Sequence, residues 1–246
     1  MLHARPRPLK LKTTVVIPCA ALHARHLRDT VTAFARQTLP PDEISICISG
    51  SAASQLADDV AALCRVAGPQ TAIVLQTDHR VAWAGRNRNR AAEHGAGDLL
   101  IYQDADDLPH PQRIEILVHL FRKYRVDHVL HHYDQTASVA DRGRWSAHRF
   151  DVAAAGSTAY YERYGEQGHA HPFHNGNNAT SRDLFREIRW PEALPRGQDV
   201  AYNRSVGRSR FSNAMVRIPW PLVTYRQFLS SARARTPPQK SGLLPR

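Results

Sequence analysis

Residues 98–109, DLLIYQDADDLP, join a short apolar run to a cluster of three carboxylates: Asp104, Asp106 and Asp107. The chain is otherwise basic, since 33 of its 246 residues are Lys or Arg and 22 are Asp or Glu, which gives a formal net charge of +11. A buried strand rarely ends in several carboxylates without a partner, because an uncompensated charge beside the protein interior is costly. The stretch therefore indicates a strand that leads into a turn with a cation or a ligand as its partner.

Apolar runs alternate with segments of helical spacing through the first half of the chain. The predicted strands cover residues 13–17, 43–48, 72–75 and 98–102, and the predicted helices between them cover residues 22–37, 54–66 and 85–94. A further helix at 111–125 and a strand at 126–133 follow. This order is typical of an α/β fold with a mainly parallel sheet that is covered by helices on both faces.

Residues 135–177 interrupt the pattern and are rich in Gly, His, Asp and Arg, so we expect loops and short elements over an active face. A strand running into a helix is predicted at 178–188, with Ser181 as the helix cap. A helix at 197–206 and two short strands at 214–220 and 222–226 follow. We expect one domain over residues 13–229, between a basic extension at 1–12 and a disordered tail at 230–246.

Composition excludes several classes of protein. No apolar run is long enough to span a bilayer or to form a secretory signal, so a cytosolic location is the expectation. Three scattered cysteines indicate neither a disulfide framework nor a zinc knuckle. The chain has no GxGxxG sequence, which argues against a dinucleotide-dependent dehydrogenase.

The carboxylates lie where ligands usually bind in α/β proteins, beyond the carboxyl end of a strand. If the strand continues, Asp104 and Asp106 point the same way, and two such carboxylates suit Mg²⁺ or Mn²⁺ with a substrate diphosphate completing the shell. A solvated acidic turn, with Asp107 capping the next helix, is the alternative. Asp199, in the stretch LPRGQDVAYN, is either a functional carboxylate or an ordinary Asp at a helix N-terminus.

Four segments, in this order, resemble the family 2 glycosyltransferases, which have the nucleotide-sugar-binding GT-A fold. The segments are TTVVIPCAAL, LRDTVTAFARQTLPPDEISICISGS, AGRNRNRAAEHGAGDLLIYQDADDLPHPQRIE and NGNNATSRDLFREIRWPEALPRGQDVAYN. The resemblance covers roughly residues 13–228. It implies a Rossmann-like three-layer α/β/α sandwich with a mixed, mainly parallel central sheet.

The resemblance also implies roles for individual residues. Asp106 would hold a divalent metal, Mn²⁺ or Mg²⁺, together with Asp104, which would also face the nucleotide. Asp199 would be the general base that takes the proton of the acceptor hydroxyl. The other residues expected beside the nucleotide-sugar are Pro18, Ser49, Arg86 and Asn87. Those expected to contact the acceptor or to support the site are Asp107, His174, Gln198, Tyr225 and Arg226.

The implied reaction is the metal-dependent, inverting transfer of one sugar from a nucleoside-diphosphate sugar to a hydroxyl group. A UDP-sugar is the expected donor, and a glycan or a lipid-linked precursor is the expected acceptor. The basic surface would suit peripheral docking on anionic lipid. The Gln-x-x-Arg-Trp sequence of processive synthases is absent. Two departures from the family pattern are Ile48-Ser49, where acidic residues are usual, and Gln198, where Glu is common.

Three other interpretations remain open. Ile48-Ser49 and Gln198 are compatible with a degenerate family member that binds a donor without transferring it. The charge is compatible with a nucleic-acid-binding protein, although its arginines are not interleaved with aromatic residues in any binding motif, so we expect no specific nucleic-acid partner. The stretch LLIYQDADDL also resembles the haloacid-dehalogenase-like phosphatases. That chemistry needs a later lysine and a later acidic pair, but the lysines that follow are Lys123, in the adjoining helix, and Lys240, in the tail, and the acidic pair is missing.

Overall fold

The structure is a computed structural model, and it describes residues 10–50, 60–124, 126–134, 145–158, 160–161 and 178–225. The predicted disordered tail, most of the basic extension and the candidate residues His174 and Arg226 lie outside the described residues.

The predicted strands of the first half all form, and they run parallel. Strand β1 covers Thr13–Ala20, β2 covers Glu43–Ser49, β3 covers Ala72–Asp78 and β4 covers Leu99–Tyr102. The helices between them are α1 (Leu27–Ala35), α2 (Val60–Ala67) and α3 (Ala84–His94). The helix predicted from residue 22 begins later than expected, because residues Ala21–His26 form a 3₁₀ helix before α1.

The second half mixes parallel and antiparallel pairing. It contains β5 (Leu108–Pro109), α4 (Arg113–Lys123), β6 (His128–Asp134), α5 (Ala155–Thr158), β7 (Tyr160–Tyr161), β8 (Asn178–Ser181), α6 (Arg182–Glu187), α7 (Gln198–Gly207) and β9 (Met215–Thr224). Two short strands were expected at 214–220 and 222–226, but β9 is a single strand that pairs with β6. The pairing register between β6 and β9 shifts where the two prolines of β9 lie, so the strand continues past them. As predicted, Ser181 caps α6 by accepting a hydrogen bond from the N–H of Leu184 at 3.2 Å.

The strands of the described residues form one nine-stranded sheet, in the order β3-β2-β1-β4-β8-β6-β9-β5, with β7 beside β9. The longer ladders are the parallel ones. Alternate residues of β1 face opposite layers: Val15 and Ile17 pack with α1 and α4, whereas Val16 packs with α3, α6 and α7. The predicted three-layer α/β/α sandwich with a mixed, mainly parallel sheet is therefore confirmed.

The topology brings several strand ends to one edge of the sheet. Strand β8 is antiparallel to both β4 and β6, so β6 runs in the direction of β4, and β9 is parallel to β6. The carboxyl ends of β1, β2, β3, β4, β6 and β9 consequently share one edge, which is where ligands bind in open α/β sheets. The turn that carries Asp104, Asp106 and Asp107 follows β4 at this edge.

Candidate active site

A cleft of about 200 Å³ opens at this edge, between the end of β1, the start of α3 and the turn after β4. Its lining combines small apolar side chains with a few charged or amide groups. The lining residues are Pro18, Cys19, Ala20, His23, Ala82, Ala84, Asn87, Arg88, Asp104, Ala105 and Asp106. The predicted candidates Pro18, Asn87, Asp104 and Asp106 are therefore brought together.

Asp104 and Asp106 reach this cleft in a different way from that expected. Strand β4 ends at Tyr102, and a tight turn follows in which the N–H of Asp107 donates to the carbonyl of Asp104 at 3.2 Å. The two carboxylates share the cleft because the chain turns, rather than because alternate residues of a strand share a face. Asp107 is buried outside the cleft lining, and it does not cap the next helix, whose N-cap is Gln112.

Arg88 is the basic residue that α3 places in the cleft. Its side chain is 1% exposed, and one guanidinium nitrogen lies 2.6 Å from Asp104 Oδ1. A second nitrogen donates to Gln198 Oε1 at 3.1 Å, and the guanidinium lies 4.7 Å from the centre of the Trp190 ring. A buried cation held by a carboxylate, an amide and an aromatic face links the turn after β4 to the first residue of α7.

The predicted residue Arg86 lies outside this cleft. It is 44% exposed, and its guanidinium is 3.8 Å from Asp78, which also pairs with Arg90 one turn further along α3. The spacing of α3 contains the signal that would have distinguished the two arginines. Arg88 precedes Ala91 and Ala92 by three and four residues, so it belongs to the face that packs on the sheet.

His23 is a cleft residue that the sequence did not single out. It lies in the 3₁₀ helix after β1, and its Nδ1 is 3.3 Å from Asp106 Oδ2. The hydrogen bond to Asp106 raises the pKa of His23 against the opposing effect of burial. Burial would raise the pKa of Asp106, but the hydrogen bond and charge of His23 hold it below its usual value. His23 and Asp106 therefore form a hydrogen-bonded pair at the cleft wall, and the pair is ionic when His23 is protonated.

Asn87 and Ser49 form a buried polar link between α3 and the sheet. The amide of Asn87 donates to Ser49 Oγ at 2.8 Å and to the carbonyl of Cys19 at 3.3 Å. Cys19 lines the cleft, but burial and then the charge of Asp106 raise the pKa of its thiol to about 12. A protonated thiol is a poor nucleophile, so this environment disfavours Cys19 as a covalent catalyst.

Arg113 forms hydrogen bonds with the end of β4, where the turn that carries Asp104 and Asp106 begins. It is fully buried and donates to the carbonyl of Tyr102 at 2.8 Å, to the side chain of Gln103 and to His131 Nε2 at 3.2 Å. Burial lowers the pKa of Arg113 to about 9, against the opposing charges of Asp107 and Asp104. The buried cation fixes the end of β4, from which the cleft carboxylates project.

Asp199 lies in the first turn of α7, next to Gln198, and is partly buried. Gly197 begins this helix with a left-handed backbone (φ 68°), a conformation that favours glycine. Because Gln198 accepts from Arg88 and donates to the carbonyl of Leu194 at 2.6 Å, the helix start that carries Asp199 is fixed relative to Asp104.

Tyr225 follows β9 at the same edge of the sheet. Burial and then the nearby charges of Asp107, Asp104 and Asp106 raise the pKa of its phenol. Its ring also contacts that of Tyr133, the penultimate residue of β6, with 5.9 Å between centres. Tyr225 is therefore close to the carboxylate turn, although it is outside the cleft lining.

The cleft fits a divalent cation only if a ligand completes the coordination shell. Among the described residues, no group of three or more His, Cys, Asp or Glu is arranged to hold a metal by itself. Asp104 and Asp106 nevertheless both line the cleft, and Mg²⁺ and Mn²⁺ commonly combine one or two carboxylates with substrate phosphates.

Within the same described ranges, no helix is long and apolar enough to cross a bilayer.

Solved structures with the same fold bind nucleotides. TarS from S. aureus, solved with UDP-GlcNAc, aligns over 87% of this chain with a TM-score of 0.65 and 12% identity, and the alignment spans 58% of TarS 1–349. The mannosyltransferase PcManGT from Pyrobaculum calidifontis, solved with GDP-Man and Mn²⁺, aligns over 91% of this chain and 59% of its own, with a TM-score of 0.55 and 18% identity.

Glucosyl-3-phosphoglycerate synthase from Mycobacterium tuberculosis, solved with Mg²⁺ and UDP, aligns over 88% of this chain and 72% of its own, with a TM-score of 0.54 and 17% identity. At these identities the likeness establishes the GT-A fold alone. No curated protein sequence matches the chain. Residues 14–189, however, match the sequence model of glycosyl transferase family 2. Since the match covers well over half of the chain, this protein belongs to glycosyl transferase family 2.

Proposed function

We propose that this protein is a glycosyltransferase that moves one sugar from a nucleoside-diphosphate sugar to a hydroxyl acceptor, with inversion at the anomeric carbon. The observation that carries the proposal is the link Asp104–Arg88–Gln198, which connects a cleft at the carboxyl edge of the sheet to the helix start bearing Asp199. One buried cation thereby joins the turn that carries a donor-side carboxylate to the helix that carries the candidate base.

A diphosphate leaving group needs positive charge in the cleft, and Arg88 together with a divalent cation would supply it. The departure of the diphosphate develops negative charge, which positioned cations stabilise. Arg88 supplies one such charge, and its buried Nε has no hydrogen-bond partner in the part of the chain that the structure describes, so it can still donate to an anion. A divalent cation held at the turn that carries Asp104 and Asp106 would act as a Lewis acid on the phosphate oxygens.

Asp199 is the proposed general base. An acceptor hydroxyl is a weak nucleophile, and a positioned carboxylate that removes its proton accelerates attack by roughly 10²–10⁴. Burial disfavours the thiolate of Cys19, Asp104 is paired with Arg88, and Asp106 is paired with His23. A single displacement by the acceptor, with inversion, is the mechanism that these residues favour.

The relatives suggest the donor class. TarS was solved with UDP-GlcNAc, PcManGT with GDP-Man, and glucosyl-3-phosphoglycerate synthase with UDP. We propose a UDP-sugar donor for this chain and a glycan or lipid-linked acceptor. Peripheral association of the cytosolic enzyme with anionic lipid is part of the same proposal and would place it beside a lipid-linked acceptor.

Thermal unfolding against UDP, GDP, CDP and TDP, each with and without Mn²⁺, tests the proposal. A ligand that binds only the folded state raises Tm by mass action. We expect a rise that needs both Mn²⁺ and UDP, followed by sugar transfer from a matching donor. A shift without sugar transfer from any donor would indicate a degenerate member. If no nucleotide shifts Tm, donor binding is refuted, and nucleic-acid binding becomes the interpretation to examine.

Asp199→Asn tests the chemical role. The variant should keep the stabilisation by UDP and Mn²⁺ but transfer sugar roughly 10²–10⁴ times more slowly, because it removes only proton abstraction. Asp183→Asn is the matched control, since Asp183 occupies the first turn of α6 and is exposed. Near-normal turnover by Asp199→Asn would exclude Asp199 as the base.

A further inference from the structure

The two carboxylates of the cleft have different partners. Asp104 is held at 2.6 Å by Arg88, which is almost completely buried. Asp106 lies 3.3 Å from His23, and these two side chains are 22% and 30% exposed. Moving Asp104 away from Arg88 would leave a buried guanidinium charge uncompensated, which is strongly unfavourable. Asp106 and His23 are therefore the pair that can more easily accept a new partner.

The separation between His23 and Asp106 suits a shared cation. Two neighbouring ligands in an octahedral shell with metal–ligand distances of about 2.1 Å are about 3 Å apart. The observed distance of 3.3 Å between His23 Nδ1 and Asp106 Oδ2 is close to that value. A cation could bind both atoms after a small adjustment of two partly exposed side chains, and the proton that His23 shares with Asp106 would be released to solvent.

The fold itself holds the two residues at this distance. His23 lies in the 3₁₀ helix that runs directly into α1, and Asp106 lies in the turn after β4. Thr30 of α1 is buried and donates to the carbonyl of Ala105 at 2.7 Å, so it fixes the turn against the helix. The approach of His23 to Asp106 therefore follows from backbone placement as well as from side-chain rotamers.

We propose that His23 and Asp106 together are protein ligands of a Mn²⁺ ion, with the oxygens of the nucleoside diphosphate and water completing its shell. The inference rests on the proposed function, from which it takes the diphosphate. The described residues offer no group of three ligands, so the ion binds tightly only together with the nucleotide. A nitrogen ligand also favours Mn²⁺ over Mg²⁺, which prefers oxygen.

Electron paramagnetic resonance of Mn²⁺ bound in the presence of UDP tests the proposal without relying on turnover. The wild type should show a ¹⁴N coupling from a directly bound imidazole. His23→Ala should lose this coupling and bind Mn²⁺ at least about tenfold more weakly, and Asp106→Ala should also bind weakly. His94→Ala, which removes an exposed histidine at the end of α3, should behave as wild type.

Two outcomes would overturn the proposal. The first is a wild-type Mn²⁺·UDP complex without nitrogen coupling. The second is a His23→Ala variant that binds Mn²⁺ as tightly as the wild type or more tightly, which would show that His23 competes with the ion. A separate assay of sugar transfer keeps the two hypotheses apart. Nitrogen coupling without transfer by the wild type would refute the proposed function alone, and transfer without the coupling would refute the metal site alone.

Discussion

Arg88 shows how one residue can connect two halves of a site. Its guanidinium contacts Asp104 and Gln198, and its ring partner Trp190 lies in the same buried cluster as Tyr102 and Tyr202. Because Gln198 is uncharged, Asp104 is the carboxylate that balances Arg88 within this link. The replacement of the family's common Glu by Gln198 thus keeps a hydrogen-bond acceptor and removes a negative charge.

Arg88 and Arg86 form a matched pair for mutation. Arg88→Ala should reduce stability by about 3–5 kcal/mol, because it removes the buried cation that pairs with Asp104 and donates to Gln198. The milder Arg88→Lys should remain folded but lose most of the Tm increase produced by UDP and Mn²⁺. Arg86→Ala should leave both quantities nearly unchanged, since that side chain is exposed. A larger effect at Arg86 than at Arg88 on nucleotide binding would contradict the observed placement.

At the scale of elements, Arg182 joins the beginning of α6 to the end of α3. Its guanidinium donates to the carbonyls of Ala92, Gly95 and Gly97 at 2.5, 2.7 and 2.9 Å. The loop is close-packed there, because a Cβ on Gly97 would lie 2.5 Å from Thr14 Oγ1. Arg182 therefore satisfies carbonyl groups that a helix end leaves without partners.

Removal of the hydrogen bonds from Arg182 to these carbonyls should lower the stability of the fold. Arg182→Ala should lower the free energy of unfolding by about 2–3 kcal/mol, because charge-assisted hydrogen bonds to partly buried carbonyls are lost. Arg186→Ala, on the same helix, should change it by no more than about 0.5 kcal/mol, since its ion pair with Asp183 is 70% and 63% exposed. Urea titration measures both values, and equal losses would refute the capping role of Arg182.

For the whole molecule, buried histidines should determine the acid limit of stability. Burial is the main cause that lowers the pKa of His110 and of His128 to about 4, and it holds the pKa of His131 well below its ordinary value. Between pH 6.5 and about pH 4 the unfolded chain binds protons at these sites that the native state does not. The free energy of unfolding therefore falls as the pH falls through this window. Above pH 6.5 these histidines do not make the free energy of unfolding depend on pH.

His128→Gln should reduce that dependence. The native side chain lies 2.9 Å from Asn203 Oδ1, and glutamine retains a donor without titrating. Urea unfolding at pH 7, 6 and 5 should show a shallower loss of stability in the variant, by up to about 1.4 kcal/mol per pH unit. His94→Gln, at an exposed position, should leave the slope unchanged. An unaltered slope in His128→Gln would show that protonation of His128 does not limit stability.

Local sequence patterns predicted the elements well where one spacing dominates. Apolar runs predicted strands β1 to β4, and the serine before an amphipathic segment predicted the N-cap of α6. Prediction failed where tertiary pairing overrode local signals, as in β9, whose two prolines suggested a break although pairing with β6 keeps the strand continuous. It also misplaced the start of α1, since the residues before it form a 3₁₀ helix.

The sequence by itself determined the α/β class, the carboxylate turn after β4 and the resemblance to family 2, because hydrophobic periodicity and motif order are local properties of a chain. Only the tertiary structure decided which side chains meet. Arg88 rather than Arg86 reaches Asp104, and His23 reaches Asp106 across more than eighty residues of sequence. Such contacts depend on the rotation of a helix against the sheet and on the direction of a turn, which the packing of the whole core fixes.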